Sequence, residues 1–297
     1  MLGAVAGDTI GSVYEFHNTK HYDFELLRPD SIYTDDSIIS FAVLEWILND
    51  FNHSYQTLEK AMVDIAKEYR HPMGGYGGGF RTWLFYPDQL YEYDPSKLGE
   101  PPYISDTGRH PYGSWGNGAA MRVGAVGWFF DTLDETERVA AISSAITHNH
   151  LEGIKGAQAV AAGVFLARSG NTKEEIRDYI ENKFGYDLHK SWEEWYSVYR
   201  WDSSCQGTVP QALISFLDSD NFVDAIRKAV SLGGDSDTMA CITGGVAEAF
   251  YGGVPHPLAE EVFHRLPVMF QSLLKNLWEK SSYGTVCPNY SALFREE

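Results

Sequence analysis

The apolar positions of this chain recur at helical spacing almost throughout, and the Val/Ile/Thr alternation of strands is nearly absent. Residues 35–49 (DDSIISFAVLEWILN) are apolar on nearly every face and predict a buried helix. Residues 2–16 predict another, with Gly3, Gly7 and Gly11 at i, i+4 and i+8 forming a smooth stripe on which a second backbone can rest. Amphipathic or alanine-rich patterns predict helices over 56–69, 134–149, 152–168, 172–182, 209–217, 221–232, 237–250 and 258–280. Thr172 followed by Glu174 and Glu175 is a capping signal, and Pro210 suits a first helical turn. The stretch 70–117 is different. It is rich in Gly, Pro, Tyr and Trp, and an irregular segment of that length inside a compact fold usually carries function. The whole pattern predicts an all-α bundle forming one domain over 1–297.

Composition adds constraints. With 44% hydrophobic and 22% charged residues, a chain of 297 residues is of ordinary globular type and can bury a core without a disulfide or structural metal. The formal net charge of −18 disfavours both an extended grip on nucleic-acid phosphates and adsorption to an anionic membrane. Cys205, Cys241 and Cys287 are odd in number and form no CxxC pair, which fits a reducing compartment and argues against a disulfide framework or a zinc knuckle. The opening MLGAVAGDTIGSVYEF lacks the basic start and unbroken apolar run of a signal peptide, and no stretch approaches the length of a membrane-spanning helix. A cytoplasmic enzyme is the expectation. No feature speaks to the oligomeric state.

Candidate chemistry begins with Thr34-Asp35-Asp36-Ser37, directly before the buried helix. The plain reading is capping, since Thr and Asp cap helices and acids favour the positive end of the helix dipole. Gly233-Gly234-Asp235-Ser236-Asp237-Thr238 repeats the design ahead of the small-residue helix MACITGGVAEAF, with two glycines that permit a sharp turn before the acids. Joined, the two motifs change the picture. Asp35, Asp36, Asp235 and Asp237 would repel one another if gathered without a cation, whereas hard divalent ions prefer such oxygen ligands, here with the Thr34 and Thr238 hydroxyls beside them. A two-metal site of this kind can activate water and stabilise developing negative charge.

Two further features bear on the same chemistry. Asp8, Ser12 and Glu15 fall at i, i+4 and i+7 of a helix with almost no other charge, a pattern that suggests acids lining a cavity. Ser114-Trp115-Gly116-Asn117-Gly118, ahead of a helix predicted from Ala119, is either a common turn or an anion nest in which glycines expose N–H groups at a helix start. Arg122 then pairs with a phosphate or holds one of the acids. There is no GxSxG elbow, no GxxxxGK[ST] loop and no HExxH. His17 and His21 stand in a polar stretch without a third ligand and read as surface histidines, and Cys205 reads as a small buried apolar residue.

The motifs GAVAGDTIGSVYEF, YTDDS, GNGAAMR, AITHNH and LGGDSDTMACITGG, in that order between Gly3 and about Gly252, resemble the ADP-ribosylglycohydrolase family. That family includes the dinitrogenase-reductase-activating glycohydrolases and the ADP-ribosylarginine and ADP-ribosylserine hydrolases. The resemblance implies an all-α, single-domain orthogonal helical bundle with a binuclear metal site, family motifs over 3–252, and a C-terminal helix and tail over 258–297. It implies two divalent cations, magnesium or manganese, bound by Thr34, Asp35, Asp36, Asp235, Asp237 and Thr238. Glu15 and Asp36 are the implied catalytic residues, one or the other steering the attacking water. The implied ADP-ribosylated substrate rests its diphosphate on Ser114, Trp115, Gly116, Asn117 and Gly118, with His148 near the ribose or phosphate. Gly77-Gly78-Gly79 resembles a glycine loop near the distal ribose. Two positions depart from the pattern. Ser37 replaces the usual Thr while keeping a hydroxyl, and GGYGGGF lacks the acid found in arginine-specific relatives of the activating type.

The activity so implied is metal-dependent hydrolysis of the glycosidic bond between ADP-ribose and an acceptor. The acceptor stays open among arginine, serine, a small molecule and a nucleic-acid end. It is expected to enter past the aromatic 70–117 region, where Tyr76, Phe80, Trp83 and Tyr112 either line the mouth or simply pack. Two other readings stand beside this one. A non-catalytic ADP-ribose binder or crystallin-like structural protein can share the fold, although the retained aspartates argue against it. Hydrolysis of another ADP-ribose-like linkage or a phosphoester is the second, with a pyrophosphatase disfavoured because the phosphate nest lies far from the metal acids in sequence.

Overall fold

The computed structural model describes residues 1–294, so the last three residues of the expected tail lie outside the described residues. Those described residues form sixteen α-helices: α1 (Leu2–Gly11), α2 (Asp35–Asn49), α3 (Tyr55–Glu68), α4 (Gly78–Phe85), α5 (Pro95–Leu98), α6 (Gly124–Phe129), α7 (Leu133–Ala145), α8 (Leu151–Arg168), α9 (Lys173–Phe184), α10 (Trp192–Val198), α11 (Cys205–Leu217), α12 (Phe222–Ser231), α13 (Ser236–Tyr251), α14 (His256–His264), α15 (Val268–Lys280) and α16 (Tyr283–Val286). Extended pairing among them is limited to two isolated bridges, Thr34 with Met73 and Gly116 with Ser204. The fold is all-α. No described helix is long and apolar enough to cross a membrane.

Local chemistry explains several boundaries. The Thr34 Oγ1 accepts from the Asp36 N–H and starts α2, and Thr172 with Glu175 forms a reciprocal capping box at α9. The glycine stripe of α1 lies against α13, as its spacing predicts. A Cβ on Gly7 would stand 1.9 Å from the Ala240 carbonyl oxygen, and one on Gly11 would stand 2.5 Å from the Asp237 Cα. This backbone-to-backbone approach carries Asp8 to the start of α13. Around the pair, buried apolar residues from every part of the chain make one cluster that includes Phe41, Trp46, Trp128 and Phe270.

Several predicted elements fold differently, among them the 134–149 helix, which ends at Ala145. The first helix ends at Gly11, where the Tyr14 N–H closes a tight turn on the Gly11 carbonyl. The predicted 209–217 helix begins earlier, because the Ser204 Oγ accepts from the Gly207 N–H, and Pro210 therefore sits inside α11 rather than in its first turn. The 258–280 pattern is two helices broken at Pro267, which has no N–H and disfavours helix at the residue before it. No α-helix begins at Ala119. Short 3-10 turns over Asn117–Ala119 and Met121–Val123 lead into α6. The irregular 70–117 stretch itself holds α4 and α5.

Candidate active site

The starts of α2 and α13 converge, with the turn after α1, on a cavity of about 400 Å³. Five carboxylates, Glu15, Asp35, Asp36, Asp235 and Asp237, line it, and a sixth, Asp8, lies behind Asp36 and Asp237. Asp8 is fully buried and accepts from the Thr34 N–H (2.9 Å), the Thr34 hydroxyl (2.7 Å), the Ser37 N–H (3.0 Å) and the Ser37 hydroxyl. It is thus an acid set against the positive end of α2, and it takes up the Ser37 hydroxyl as well. Sequence reasoning noticed Asp8 but did not assign it a role.

Glu15 reaches the same cavity by another route than a shared helix face. It follows the end of α1, in the turn that reverses the chain. Asn18 holds that turn in place. Its amide donates to the carbonyls of Glu15 (2.8 Å) and Gly234 (2.9 Å), and its oxygen accepts from the Gly234 N–H at 2.7 Å. Gly74 completes the fit, because a Cβ there would lie 2.7 Å from the Glu15 Oε2. Ser12, the third residue of the predicted face, instead donates to the Thr9 carbonyl.

The second acidic motif starts α13 without capping it. Gly233 and Gly234 have φ of +75° and +80°, the left-handed turn expected ahead of the acids. Asp235 occupies the cap position of α13, yet its side chain makes no capping bond. It accepts from the Asn117 Nδ2 at 2.7 Å. Asp36 accepts from the Thr238 hydroxyl at 3.3 Å through Oδ2, and its buried Oδ1 has no hydrogen-bond partner. Ligand oxygens of Asp8, Asp36 and Asp237 lie within 4.8 Å of one another, and so do those of Glu15, Asp235 and Asp237. Two carboxylate triads therefore share Asp237. Asp35 lines the cavity beside them.

No Lys or Arg among the described residues forms an ion pair with any of the six. The electrostatic result is uniform. Burial pushes the Asp8 carboxyl up to about 6, and burial together with the Asp235 and Asp8 charges pushes Glu15 up to about 7. Burial, then neighbouring carboxylates, holds Asp35, Asp36 and Asp237 well above the usual carboxylate range, and burial raises Asp235. An unpaired acid oxygen amid acids that raise one another is the environment a hard divalent cation relieves.

The opposite wall is the 114–118 turn. Ser114, Gly116, Asn117 and Gly118 line the cavity. Two of the N–H groups expected to face an anion are already engaged, Gly116 with the Ser114 Oγ (3.1 Å) and Asn117 with the Ser203 carbonyl (2.8 Å). Trp115 does not line the cavity. It is 52% exposed and stands edge-on to His150. Arg122 neither holds an acid nor reaches out of the protein. It is buried, and its guanidinium donates to the carbonyls of Ser143 and Ser144 and to the Thr147 hydroxyl. His148 is buried and lines the cavity behind Gly116 and Gly118, with its Nε2 3.5 Å and 3.3 Å from where their Cβ atoms would stand. Burial and the Arg122 charge hold its pKa well below the usual histidine range. Thr34 is buried behind the cavity as a cap, while Thr238 lines it.

Of the aromatic candidates, Phe80, Tyr76 and Tyr112 line the cavity, but Trp83 is fully buried and packs in the core. The glycines at 77–79 line it as well. Sequence reasoning missed Trp201 and Ser203, which close the wall from the segment before α11. Trp201 stacks on Phe16 at 5.9 Å, and both rings are largely exposed. Their only sequence signal is an aromatic residue in each of two polar loops. Cys205 is buried, and burial pushes its thiol up to about 12, in keeping with a packing role.

The family model for ADP-ribosylglycohydrolase matches residues 1–283. This chain belongs to the ADP-ribosylglycohydrolase family. Within it, the chain is 26% identical to ADP-ribosylhydrolase ARH3 of Mus musculus, over 95% of this chain and 91% of the relative. It is also 26% identical to ADP-ribosylarginine hydrolase Tri1 of Pseudomonas putida (strain GB-1), over 90% of this chain and 77% of the relative. A solved ADP-ribosylglycohydrolase-related protein complex superposes with a TM-score of 0.65 at 21% identity, over 94% of this chain, and shows the same fold.

Proposed function

We propose that this member of the family hydrolyses the glycosidic bond between ADP-ribose and an acceptor, releasing ADP-ribose, with magnesium or manganese as cofactor. The observation that carries the reading is the pair of carboxylate triads sharing Asp237, which apart from the buried Asp8 line one wall of a cavity whose other wall is the 114–118 turn. Names borne by the relatives, ADP-ribosylhydrolase and ADP-ribosylarginine hydrolase, agree with it. The orphaned Asp36 Oδ1 and the absence of a cationic partner among the described residues fit a divalent ion held by Asp8, Asp36 and Asp237, and a second by Glu15, Asp235 and Asp237. Asp35, Thr34 and Thr238 stand beside these sets. When bound, such ions supply Lewis-acid polarisation and lower the pKa of water.

The chain's own residues do the rest. Asp8 fixes the start of α2, so that Asp36 faces the cavity rather than capping. Glu15, half-buried at the edge of the acid cluster, steers the attacking water. Asn117 holds Asp235 in place, and Ser114, Gly116 and Gly118 take the diphosphate. His148, which stays neutral, offers a hydrogen bond behind them. Residues 1–297 act as one catalytic domain. The three cysteines, all free and buried, suit a cytoplasmic setting.

One observation favours a second reading. The turn and the acids, distant in sequence, are in contact through Asn117 and Asp235, so separation no longer argues against a pyrophosphatase. A single experiment tests both. The protein is incubated with magnesium and defined ADP-ribosylated arginine and serine peptides, and the released fragment is identified by mass spectrometry. ADP-ribose supports the proposal. AMP with the ribose phosphate left on the peptide supports the pyrophosphatase, and an intact substrate that nonetheless binds supports a non-catalytic role.

A further inference from the structure

The role of Arg122 is not explained by the chemistry above. It is a buried cation on the cavity wall that makes no ion pair with a carboxylate among the described residues. Its guanidinium sits instead at the C-terminal end of α7, where carbonyl oxygens of a helix end lack intrahelical partners. The same nitrogen that reaches those carbonyls also donates to the Thr147 Oγ1 at 3.0 Å. A guanidinium only donates, so the Thr147 oxygen must accept there. The Thr147 hydroxyl is in turn 2.7 Å from the His148 Nδ1. The hydroxyl keeps one proton, and Nδ1 is the acceptor placed to take it. The alternative, a proton on Nδ1 pointed at an oxygen already polarised by Arg122, would aim one N–H dipole toward a second positive group. Burial and the Arg122 charge also keep the ring neutral.

We infer that Arg122 and Thr147 are positioning residues that lock His148 as the Nε2–H tautomer, making it a fixed donor into the cavity. The surroundings are built for that donor. Nε2 lies behind Gly116 and Gly118, where a side chain on either would crowd it, and the Tyr112 ring leans against the imidazole at 5.7 Å. His148 itself is held by its N–H to the Ser144 carbonyl (2.8 Å) and by its carbonyl, which accepts from the Ser144 hydroxyl (2.9 Å). The acceptor it awaits is a ribose or phosphate oxygen of the substrate, and this last step rests on the ADP-ribose reading.

The test separates the relay from that reading. In the 15N-labelled protein without ligand, long-range 1H–15N correlation reports which ring nitrogen of His148 carries the proton, with His148→Asn identifying the signals. The expected result is a protonated Nε2 and a bare Nδ1. Thr147→Val, which removes the hydroxyl at nearly constant shape, is expected to give a mixture of tautomers and to weaken ADP-ribose about tenfold by calorimetry, the scale of one hydrogen bond. Thr147→Ser is expected to restore the parent tautomer. A proton on Nδ1 in the parent, or an unchanged tautomer in Thr147→Val, overturns the relay. Should Thr147→Val not fold, the parent spectrum alone decides. A parent with the expected tautomer that does not bind ADP-ribose leaves the relay standing and removes the substrate reading instead.

Discussion

Asn117 donates its side-chain amide to the Asp235 Oδ2 at 2.7 Å and to the Thr208 hydroxyl at 3.1 Å. One amide thus joins a glycine-rich turn, the start of α13 and the flank of α11. The residue chosen from its motif as a substrate ligand spends its donors inside the protein. Asn117→Ala is therefore expected to lower turnover as well as ADP-ribose affinity, because it frees a buried carboxylate. Loss of a hydrogen bond to a charged group is worth about 1–3 kcal/mol. Steady-state kinetics paired with calorimetry check it, and a pure affinity loss with turnover intact would mean that Asn117 contacts only the substrate.

Asp36→Asn and Asp235→Asn should each reduce hydrolysis by roughly a hundredfold or more, the scale for removing a principal electrostatic stabiliser. Without divalent cations the same variants should melt no lower than the parent, since each removes one charge from a mutually repelling cluster. Near-normal rates in both variants would return these residues to the status of helix caps.

The raised carboxyls make the cation-free protein sensitive to pH in a defined direction. Asp8 at about 6 and Glu15 at about 7 bind protons in the folded state that an unfolded chain, with ordinary values of roughly 4, has already released. Stability in chelator is therefore expected to fall as pH rises from about 4 through about 7. Magnesium should raise the melting temperature most at the alkaline end of this range, where the acids are charged. Thermal scans at pH 5 and pH 8 with and without magnesium decide it, and a chelated protein equally stable at both would contradict the cluster's electrostatics.

Trp201 lines the cavity and stacks on Phe16, which adjoins Glu15 in the chain. Phe16→Ala and Trp201→Ala should raise KM for an intact ADP-ribosylated peptide while leaving free ADP-ribose affinity unchanged. Stability should shift by no more than about 0.5 kcal/mol, as for exposed sites. Equal losses for both ligands would place the pair against ADP-ribose itself.

Local pattern carried a large part of this molecule. The apolar run and the Thr34 cap set α2 to the residue, Thr172 and Glu175 set α9, and the spacing of Gly3, Gly7 and Gly11 announced a close helix contact. These are properties of neighbours in the chain, and short-range sterics and capping bonds decide them. The same local rules misplaced Pro210 and joined α14 to α15, because a serine cap and a proline outweighed periodicity. What only the tertiary structure decided is the use of each acid. Nothing near Asp8 in sequence says that its four bonds go to Thr34 and Ser37, and nothing near Glu15 says that Asn18 and Gly234 will hold it over the cavity. Asp235 looks like a cap in its own segment and becomes a partner of Asn117 only when a turn and a helix start more than a hundred residues apart meet. Contacts of that range depend on the packing of the whole bundle, which brings scattered carboxylates into one site against their mutual repulsion.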